Sequence, residues 1–402
     1  MGKNALFSGQ PILSQIINYL PLKDFQSIVN KHNGDRYVKK FDSLHHLITM
    51  LYAEFQKCDS LRGIEVGMMG VMEKLNHLGL SYLPKKSTLA EANERRNPQI
   101  FEDLYFALIS RYGGFLADSR SAQLDKRLYI LDATVITLFN DILPAAGRKP
   151  SDGKRKGGIK VHTLLNAATD VPEMVVFASA ASRDGNVLTQ IRLPKKSIVV
   201  FDKGYVSFEQ FDRLTKDNVT WVTRLTTSWV YETTLIREVD AHQDVNGIKD
   251  DREIILGNQT NKKQRRVKAR LVKYYDSKHD RTFEFVTNNF NMSAITIAQL
   301  YEKRWQVELV FKRLKQNCQL RNFLGESENA TKIQIWIAFI ADLLTKVIQK
   351  KIKGRRYAFT TVATILRLHL LSYFKLLEFL DNPHKALKKE EAKVIEDLFS
   401  SA

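Results

Sequence analysis

The feature that most constrains the fold of this chain is a change of pattern near residue 128, where helical periodicity gives way to short apolar runs. These runs are rich in β-branched and aromatic residues and lie at 128–131, 159–165, 174–178, 197–201 and 220–224. Helical patterns at 184–191 and 207–216 separate the later runs. Strands that come first and then alternate with helices predict an α/β fold, a mixed sheet with helices on its faces.

The segments around these strands predict the domain organisation. Residues 1–118 are helical, with an apolar stripe at three- and four-residue steps formed by Phe41, Leu44, Leu47, Leu51 and Phe55. The α/β domain is expected at 119–375, and its alternating Thr- and Val-rich stretch at about 206–290 predicts an inserted antiparallel β subdomain. The chain becomes helical again after 292, and 376–402 is expected to form a helical tail.

The charge of the chain indicates the chemistry of its partner. It has 62 Lys and Arg against 44 Asp and Glu, a formal charge of +18. This surplus favours a polyanion such as nucleic acid, although a basic enzyme with another substrate has the same balance. Two cysteines are too few for a disulfide framework or a CxxC zinc site. With no signal-peptide or membrane-span pattern, we expect a soluble cytoplasmic protein, and the position and charge of 1–118 predict a DNA-binding domain.

Two aspartates follow predicted strands. Asp132 comes after the run at 128–131, and Asp202 comes after the run at 197–201. A carboxylate at a strand end is held by a rigid element and exposed at the edge of the sheet, which suits metal binding. A single aspartate at such a position is more often a turn or cap residue. The pairing on two strands of one sheet favours a shared site.

A third acidic residue, Glu308, lies in a helical segment with a distinctive row of side chains. At about 100° per residue, Tyr301, Arg304, Glu308 and Lys315 share one arc of about 60° on a helical wheel. The alternative is an ordinary solvated face with i,i+4 ion pairs. Three carboxylates from separate elements supply the hard oxygen ligands that two Mg²⁺ ions need for phosphodiester cleavage. Neighbouring Arg, Lys and Tyr side chains would then hold the phosphates of the cleaved strand.

The spacing Tyr301-x2-Arg304-x3-Glu308-x6-Lys315 resembles the YREK signature of DDE-class insertion-sequence transposases of the IS-4 type. The resemblance implies an RNase H-like catalytic domain in which Asp132, Asp202 and Glu308 bind two Mg²⁺ ions, with Mn²⁺ as a substitute. It also implies that Tyr301, Arg304 and Lys315 contact DNA at the transposon end. The family commonly has Asp-Arg-Gly-Tyr where this chain has Lys203 after Asp202, and lysine lacks the bidentate fork of arginine.

The same resemblance implies cut-and-paste transposition by a bacterial protein acting on terminal inverted repeats and target DNA as a homodimer. Strand cleavage is expected to pass through a DNA hairpin, with a flipped base stacked on an aromatic side chain. Phe283 is the candidate for that stacking, ahead of Trp221 and Trp229, although each is more often a core residue of a β subdomain. The dimer is expected to use the C-terminal helices at 376–398.

A basic run in the predicted insertion offers further phosphate contacts. Strand alternation would place several of its charges on one face, and Arg265, Arg266 and Lys268 are the candidates. Two other functions remain open on sequence alone. One is a catalytically inactive, transposase-derived DNA-binding regulator, which would need no carboxylate set. The other is an RNase H-like metal nuclease, which would need neither the N-terminal domain nor the large β insertion.

Overall fold

The computed structural model describes residues 9–70, 72–117, 122–137, 158–257, 265–317, 323–354 and 356–388. The helices, in chain order, are α1 (Ile12–Ile17), α2 (Leu22–Lys31), α3 (Ser43–Gln56), α4 (Leu61–Met69), α5 (Lys86–Arg95), α6 (Gln99–Leu116), α7 (Phe208–Lys216), α8 (Ala241–Val245), α9 (Ala294–Glu302), α10 (Trp305–Asn317), α11 (Glu328–Lys351), α12 (Phe359–Leu368) and α13 (Leu376–Asp381). The strands are β1 (Leu128–Thr137), β2 (Gly158–Asn166), β3 (Val171–Ser179), β4 (Ile198–Phe201), β5 (Thr220–Arg224), β6 (Tyr231–Ile236), β7 (Ile248–Leu256), β8 (Val267–Asp276) and β9 (Arg281–Thr287). Short 3₁₀ helices lie at Met72–Leu78, Asp125–Arg127 and Asp184–Gln190.

The chain divides into two compact units, 117–311 and the combination of 1–116 with 312–402. This division differs from the predicted α/β domain at 119–375. The reason is α11, which is buried along most of its length and packs against α3, α5, α6 and α12. A helix of 24 residues buried on all faces forms the centre of a helical bundle. Of the predicted tail, 389–402 lies outside the described residues.

The unit at 117–311 is built on a mixed sheet. Among the described residues, the strand order is β3-β2-β1-β4-β5-β9-β8-β7-β6. Strand β1 pairs antiparallel with β2 and parallel with β4, and β4 pairs parallel with β5. The order 3-2-1-4-5 with an antiparallel second strand is that of an RNase H-like sheet. The predicted α/β fold class is therefore confirmed.

The predicted insertion is antiparallel, but it is part of the main sheet. Strand β9 pairs with β5, and β8, β7 and β6 follow outward with antiparallel pairing. The predicted start near 206 is too early, because α7 and β5 lie within 206–224 and belong to the RNase H-like part. A buried strand reads as an apolar run in either kind of sheet, so the pattern alone does not separate them.

The core of this unit is aromatic beside β4 and β5. Phe211 of α7 lies between Phe201 and Trp221, with ring centroids 5.7 and 4.5 Å away. Trp221 is fully buried and donates its indole N–H to Thr215. It is therefore a core residue, and its candidacy for stacking on a flipped base was wrong. Trp229 is partly buried against the same cluster.

Helix α3 of the helical unit begins at a well-formed cap. Asp42 accepts a hydrogen bond from the His45 backbone N–H at 2.8 Å and starts α3. The predicted stripe is only part of what α3 buries, since nearly every residue from His46 to Phe55 is covered. Among the described residues, no helix is long and apolar enough to cross a membrane.

Candidate active site

Asp132 and Asp202 are neighbours on adjacent parallel strands. The parallel register of β1 and β4 ends with Leu131 opposite Phe201, and each aspartate comes next along its strand. Asp202 follows the end of β4, as predicted. Asp132 does not end a strand, because β1 continues to Thr137 against β2. The two carboxylates are nevertheless brought together where β4 ends.

Glu308 joins them through Arg304. The Arg304 guanidinium donates to Asp132 Oδ2 at 2.7 Å through Nη1 and to Glu308 Oε1 at 2.9 Å through Nη2. Arg304 is 8% exposed, whereas the Glu308 side chain is 42% exposed. The guanidinium therefore bridges two carboxylates that come from a strand and a helix.

The helix that was expected to carry this row is broken in two. Helix α9 ends at Glu302, α10 begins at Trp305, and the residues between them form a turn. Backbone N–H groups of Arg304, Gln306 and Val307 donate to carbonyls three residues earlier, which tightens the chain there. The prediction of one continuous helix was therefore wrong, although Arg304 still contacts both Tyr301 and Glu308.

Asp202 is held by two side chains from other elements. Arg224 Nη2, at the end of β5, donates to Asp202 Oδ1 at 2.9 Å, and the Tyr301 hydroxyl donates to the same oxygen at 3.3 Å. The Arg224 and Arg304 guanidinium carbons lie 5.7 and 5.9 Å from the centre of the Tyr301 ring. Arg224 is not among the site residues predicted from the sequence. Its position at the end of the strand after the Asp202 strand is the signal that could have identified it.

The two aspartates experience opposite electrostatic environments. Burial raises the pKa of Asp132, and the negative charges of Asp202 and Glu308 raise it further. The hydrogen bond from the Ala133 backbone N–H and the charge of Arg304 lower this pKa, but they do not cancel the rise. Burial also disfavours ionisation of Asp202, but the hydrogen bond and charge of Arg224 outweigh it and lower the pKa of Asp202. Burial raises the pKa of Tyr301 to about 12, so its hydroxyl stays protonated. A divalent cation would relieve the penalty on Asp132.

The donor set fits a divalent metal ion in its chemistry. Carboxylate oxygens are the ligands that Mg²⁺ and Mn²⁺ prefer. Within the described part of the chain, however, no three Asp, Glu, His or Cys side chains are spaced to hold one ion. Arg304 lies between Asp132 and Glu308, so a metal ion can bind both only when the guanidinium moves away.

A second polar cluster lies beside the turn that follows Asp202. Tyr205 is buried and shares a 2.8 Å hydrogen bond with His162 Nδ1, and Asp184 pairs with Lys160 at 2.6 Å. A Cβ on Gly204 would lie 3.0 Å from Asp184 Oδ2, so glycine leaves room for that carboxylate. His162 is fully buried, and the cluster holds the Asp202–Tyr205 turn in place.

The other residues predicted to contact DNA are divided between the two compact units: Lys203 and Phe283 lie in one and Lys315 in the other. Lys203 is exposed beside Asp202. Phe283 is partly buried and stacks on Phe285 at 5.9 Å, and Phe285 packs on Tyr301 at 4.8 Å. Lys315 is exposed on α10, in the helical unit.

The predicted phosphate-binding cations of the insertion are paired with carboxylates. Arg265 pairs with Asp212, Arg266 with Glu232 at 2.7 Å, and Lys268 with Glu253 at 3.1 Å. Exposed ion pairs of this kind are weak and exchange readily. The positive charge that this face offers to a phosphate is nevertheless smaller than the sequence alone indicates.

Family models match two segments of the chain, and known transposases are similar to it over most of its length. A family model described as a transposase DDE domain matches residues 123–344, and a model for a domain of unknown function matches 8–81. A putative transposase of Sinorhizobium fredii is 28% identical over 66% of this chain and 71% of its own length. A putative transposase for an insertion sequence element of Synechocystis is 24% identical over 71% of this chain and 77% of its own. A solved piggyBac transposase synaptic complex with hairpin DNA has a TM-score of 0.43 at 10% identity, over 90% of this chain and 78% of that one.

Proposed function

Because this chain belongs to the transposase DDE domain family, we propose that Asp132, Asp202 and Glu308 bind the metal ions with which it cuts and joins DNA. Its general activity follows from the family: it is a DNA transposase of an insertion sequence, a nucleotidyl-transfer enzyme that acts on DNA with a divalent metal ion. The finer proposal is that the ions are two Mg²⁺ ions and that the substrate is the terminal inverted repeat of its own element.

The observation that carries this proposal is the contact network around Arg304 and Tyr301. Arg304 contacts Asp132 and Glu308, and Tyr301 contacts Asp202. Residues from three separate segments of the chain therefore share one site. Metal ions held by these carboxylates would activate an attacking oxygen and stabilise the leaving oxygen in phosphodiester cleavage.

The protein's own side chains then act on the DNA strand. Arg304, released from the carboxylates, donates to non-bridging phosphate oxygens, and its fork can contact two of them at once. Tyr301 keeps its proton near neutral pH and donates a hydrogen bond without adding charge. Lys203 and Lys315 add positive charge along the strand, as do Arg265, Arg266 and Lys268 once they exchange their carboxylate partners for phosphates.

The decisive experiment is cleavage of a labelled duplex that carries the element's own end, with Mg²⁺ present. We expect the wild type to nick this DNA and Glu308→Gln to lose cleavage by at least about a thousandfold, because a neutral amide is a poor metal ligand. Glu302→Gln is the matched control, since Glu302 is exposed at the end of α9. Binding without cleavage by the wild type would contradict the proposal and favour the inactive regulator. Equal cleavage of RNA duplexes would favour the general nuclease.

The later steps are proposed on the same basis. The 3′-hydroxyl that cleavage frees attacks a phosphodiester of the opposite strand, whose bond to the flanking DNA breaks as the hairpin forms and the flanking 3′-hydroxyl leaves. Water then hydrolyses the hairpin, and the 3′-hydroxyl that is freed again attacks a phosphodiester of target DNA and displaces a target 3′-hydroxyl. Phe283 is our candidate for stacking on the flipped base, because its ring continues the aromatic row of Phe285 and Tyr301. A hairpin product that accumulates in the wild type and decreases in Phe283→Ala supports this route.

A further inference from the structure

The connection between α2 and α3 exposes a basic and aromatic tip. Arg36, Tyr37, Val38, Lys39 and Lys40 are five consecutive exposed residues. The Tyr37 side chain is 87% exposed, which is unusual for a large aromatic residue. The five contain three cations and no acid. We call residues 33–40 the 33–40 loop.

The base of this loop is fixed by buried contacts. Asp35 Oδ1 accepts hydrogen bonds from the Ser43 backbone N–H at 2.7 Å and from the Ser43 hydroxyl at 2.8 Å. The buried Arg96 guanidinium lies 3.7 Å from the same carboxylate. A Cβ on Gly34 would lie 2.5 Å from Cδ1 of the fully buried Ile100, so a larger residue at position 34 would displace that side chain. The tip therefore extends from an anchored base.

The backbone at the tip is held in an unfavourable conformation. Tyr37 has φ of 63°, in the left-handed region that bulky residues rarely adopt. Its hydroxyl accepts a hydrogen bond from Arg36 Nη2 at 3.0 Å, and the Arg36 guanidinium carbon lies 4.9 Å from the ring centre. No burial of Tyr37 repays this strain. Strain kept at an exposed position is typical of functional sites.

The charges around the tip leave it positive. Asp35 is engaged by Ser43 and Arg96, and Asp103, on α6, pairs with Lys31 and His32. Asp42 lies just beyond Lys40 and caps α3. Lys39 and Lys40 are exposed at the open end.

We propose that the 33–40 loop is a DNA contact element, in which Arg36, Lys39 and Lys40 bind phosphates and the Tyr37 ring stacks on a sugar or an exposed base. This rests on the proposed function to the extent that the chain's ligand is DNA. Closely spaced cations around a rigid ring match a nucleic acid backbone, whose charges repeat regularly and whose bases have π faces. The Asp35 anchor gives the side chains a fixed direction before DNA arrives, which lowers the entropic cost of binding.

The test is fluorescence anisotropy of a labelled duplex titrated with the full chain over a series of salt concentrations. We expect the double variant Lys39→Ala/Lys40→Ala to lose at least about tenfold in affinity at 0.1 M salt and the log–log salt slope to fall by about 2. The matched control is Lys195→Ala/Lys196→Ala, an exposed lysine pair in the other compact unit. An equal loss in the control, or no loss in the loop variant, would overturn the inference.

A second variant separates DNA contact from folding. Tyr37→Gly removes the ring and relieves the left-handed strain, so we expect its melting temperature to stay the same or rise while affinity falls by about fivefold or more. Wild-type affinity in Tyr37→Gly would overturn the stacking role.

A separate measurement uses vesicles that contain phosphatidylserine. If the lysine variant loses binding to these vesicles while its DNA binding is unchanged, the loop contacts a membrane surface and the inference is overturned. A wild type that cleaves its end DNA while the loop variants bind normally would reject this inference and leave the proposed function standing.

Discussion

Asp132 and Asp202 each follow the last residue pair of β1 and β4, but their negative charges affect the stability of the fold in opposite directions. The negative charges of Asp202 and Glu308 act on Asp132, which shares Arg304 with Glu308, whereas Asp202 has Arg224 and Tyr301 as donors. The raised pKa of Asp132 means that the folded chain holds its proton more tightly than the unfolded chain does. The lowered pKa of Asp202 means the reverse.

These directions predict opposite stability changes in metal-free protein. Asp202 stabilises the fold above the ordinary carboxyl pKa and loses this as pH falls through its lowered folded pKa. Ionised Asp132 destabilises the fold at neutral pH, and the penalty disappears as pH falls below its raised pKa. At pH 7 we therefore expect Asp202→Asn to lower the free energy of unfolding and Asp132→Asn to raise it. Denaturant unfolding in EDTA from pH 3 to pH 7 measures both, and changes of the same sign would contradict the assignment.

Arg304 is the residue whose removal most directly tests competition with metal. Without the guanidinium, Asp132 and Glu308 repel each other, so we expect Arg304→Ala to lose about 1–3 kcal/mol of stability in EDTA. The same variant should gain more in melting temperature from added Mg²⁺ than the wild type does, because a bound cation replaces the lost charge. Scanning calorimetry with and without Mg²⁺ gives both values. Arg281→Ala, an exposed arginine on β9, is the control, and an equal Mg²⁺ shift in all three proteins would exclude competition.

At the scale of elements, the sequence predicts what depends on local pattern and fails where tertiary contacts decide. The apolar runs that became β1 to β5 are recognisable because buried strands are short and rich in β-branched residues. The break between α9 and α10 is not, since 303–304 contain neither Gly nor Pro and the row Tyr301, Arg304 and Glu308 keeps helical spacing. Tertiary pairing also explains why the sequence did not predict that Asp132 lies inside β1 or that Arg224 belongs to the site. Which strand a residue pairs with is a property of the sheet and is absent from the local sequence.

At the scale of the whole molecule, the formal charge of +18 and the predicted action on two DNA ends lead to a prediction about assembly. We expect a dimer that forms on end DNA, in which each subunit binds one end. Helix α13 already buries Leu376, Phe379 and Leu380 within its own chain, so its apolar face is not free for a partner. Any contribution of the C-terminal segment would then come from residues after 381. Analytical ultracentrifugation with and without end DNA measures the stoichiometry, and a complex that holds both ends on one subunit would contradict the dimer.

The pairing of β9 with β5 allows the length of the outer sheet to vary without disturbing the site. The chain leaves the site at Arg224 and returns at Phe285, and these two residues face each other in register. Everything in 225–284 is therefore an excursion whose start and finish coincide in space. Glu308 lies shortly after β9 in the sequence, so its position depends on where β9 pairs with β5 and not on the length of the segment 225–284. The connections at the outer edge of this excursion can therefore differ in length without moving the site, provided that β9 still pairs with β5 and β7 keeps Ile254 and Leu256 in the core.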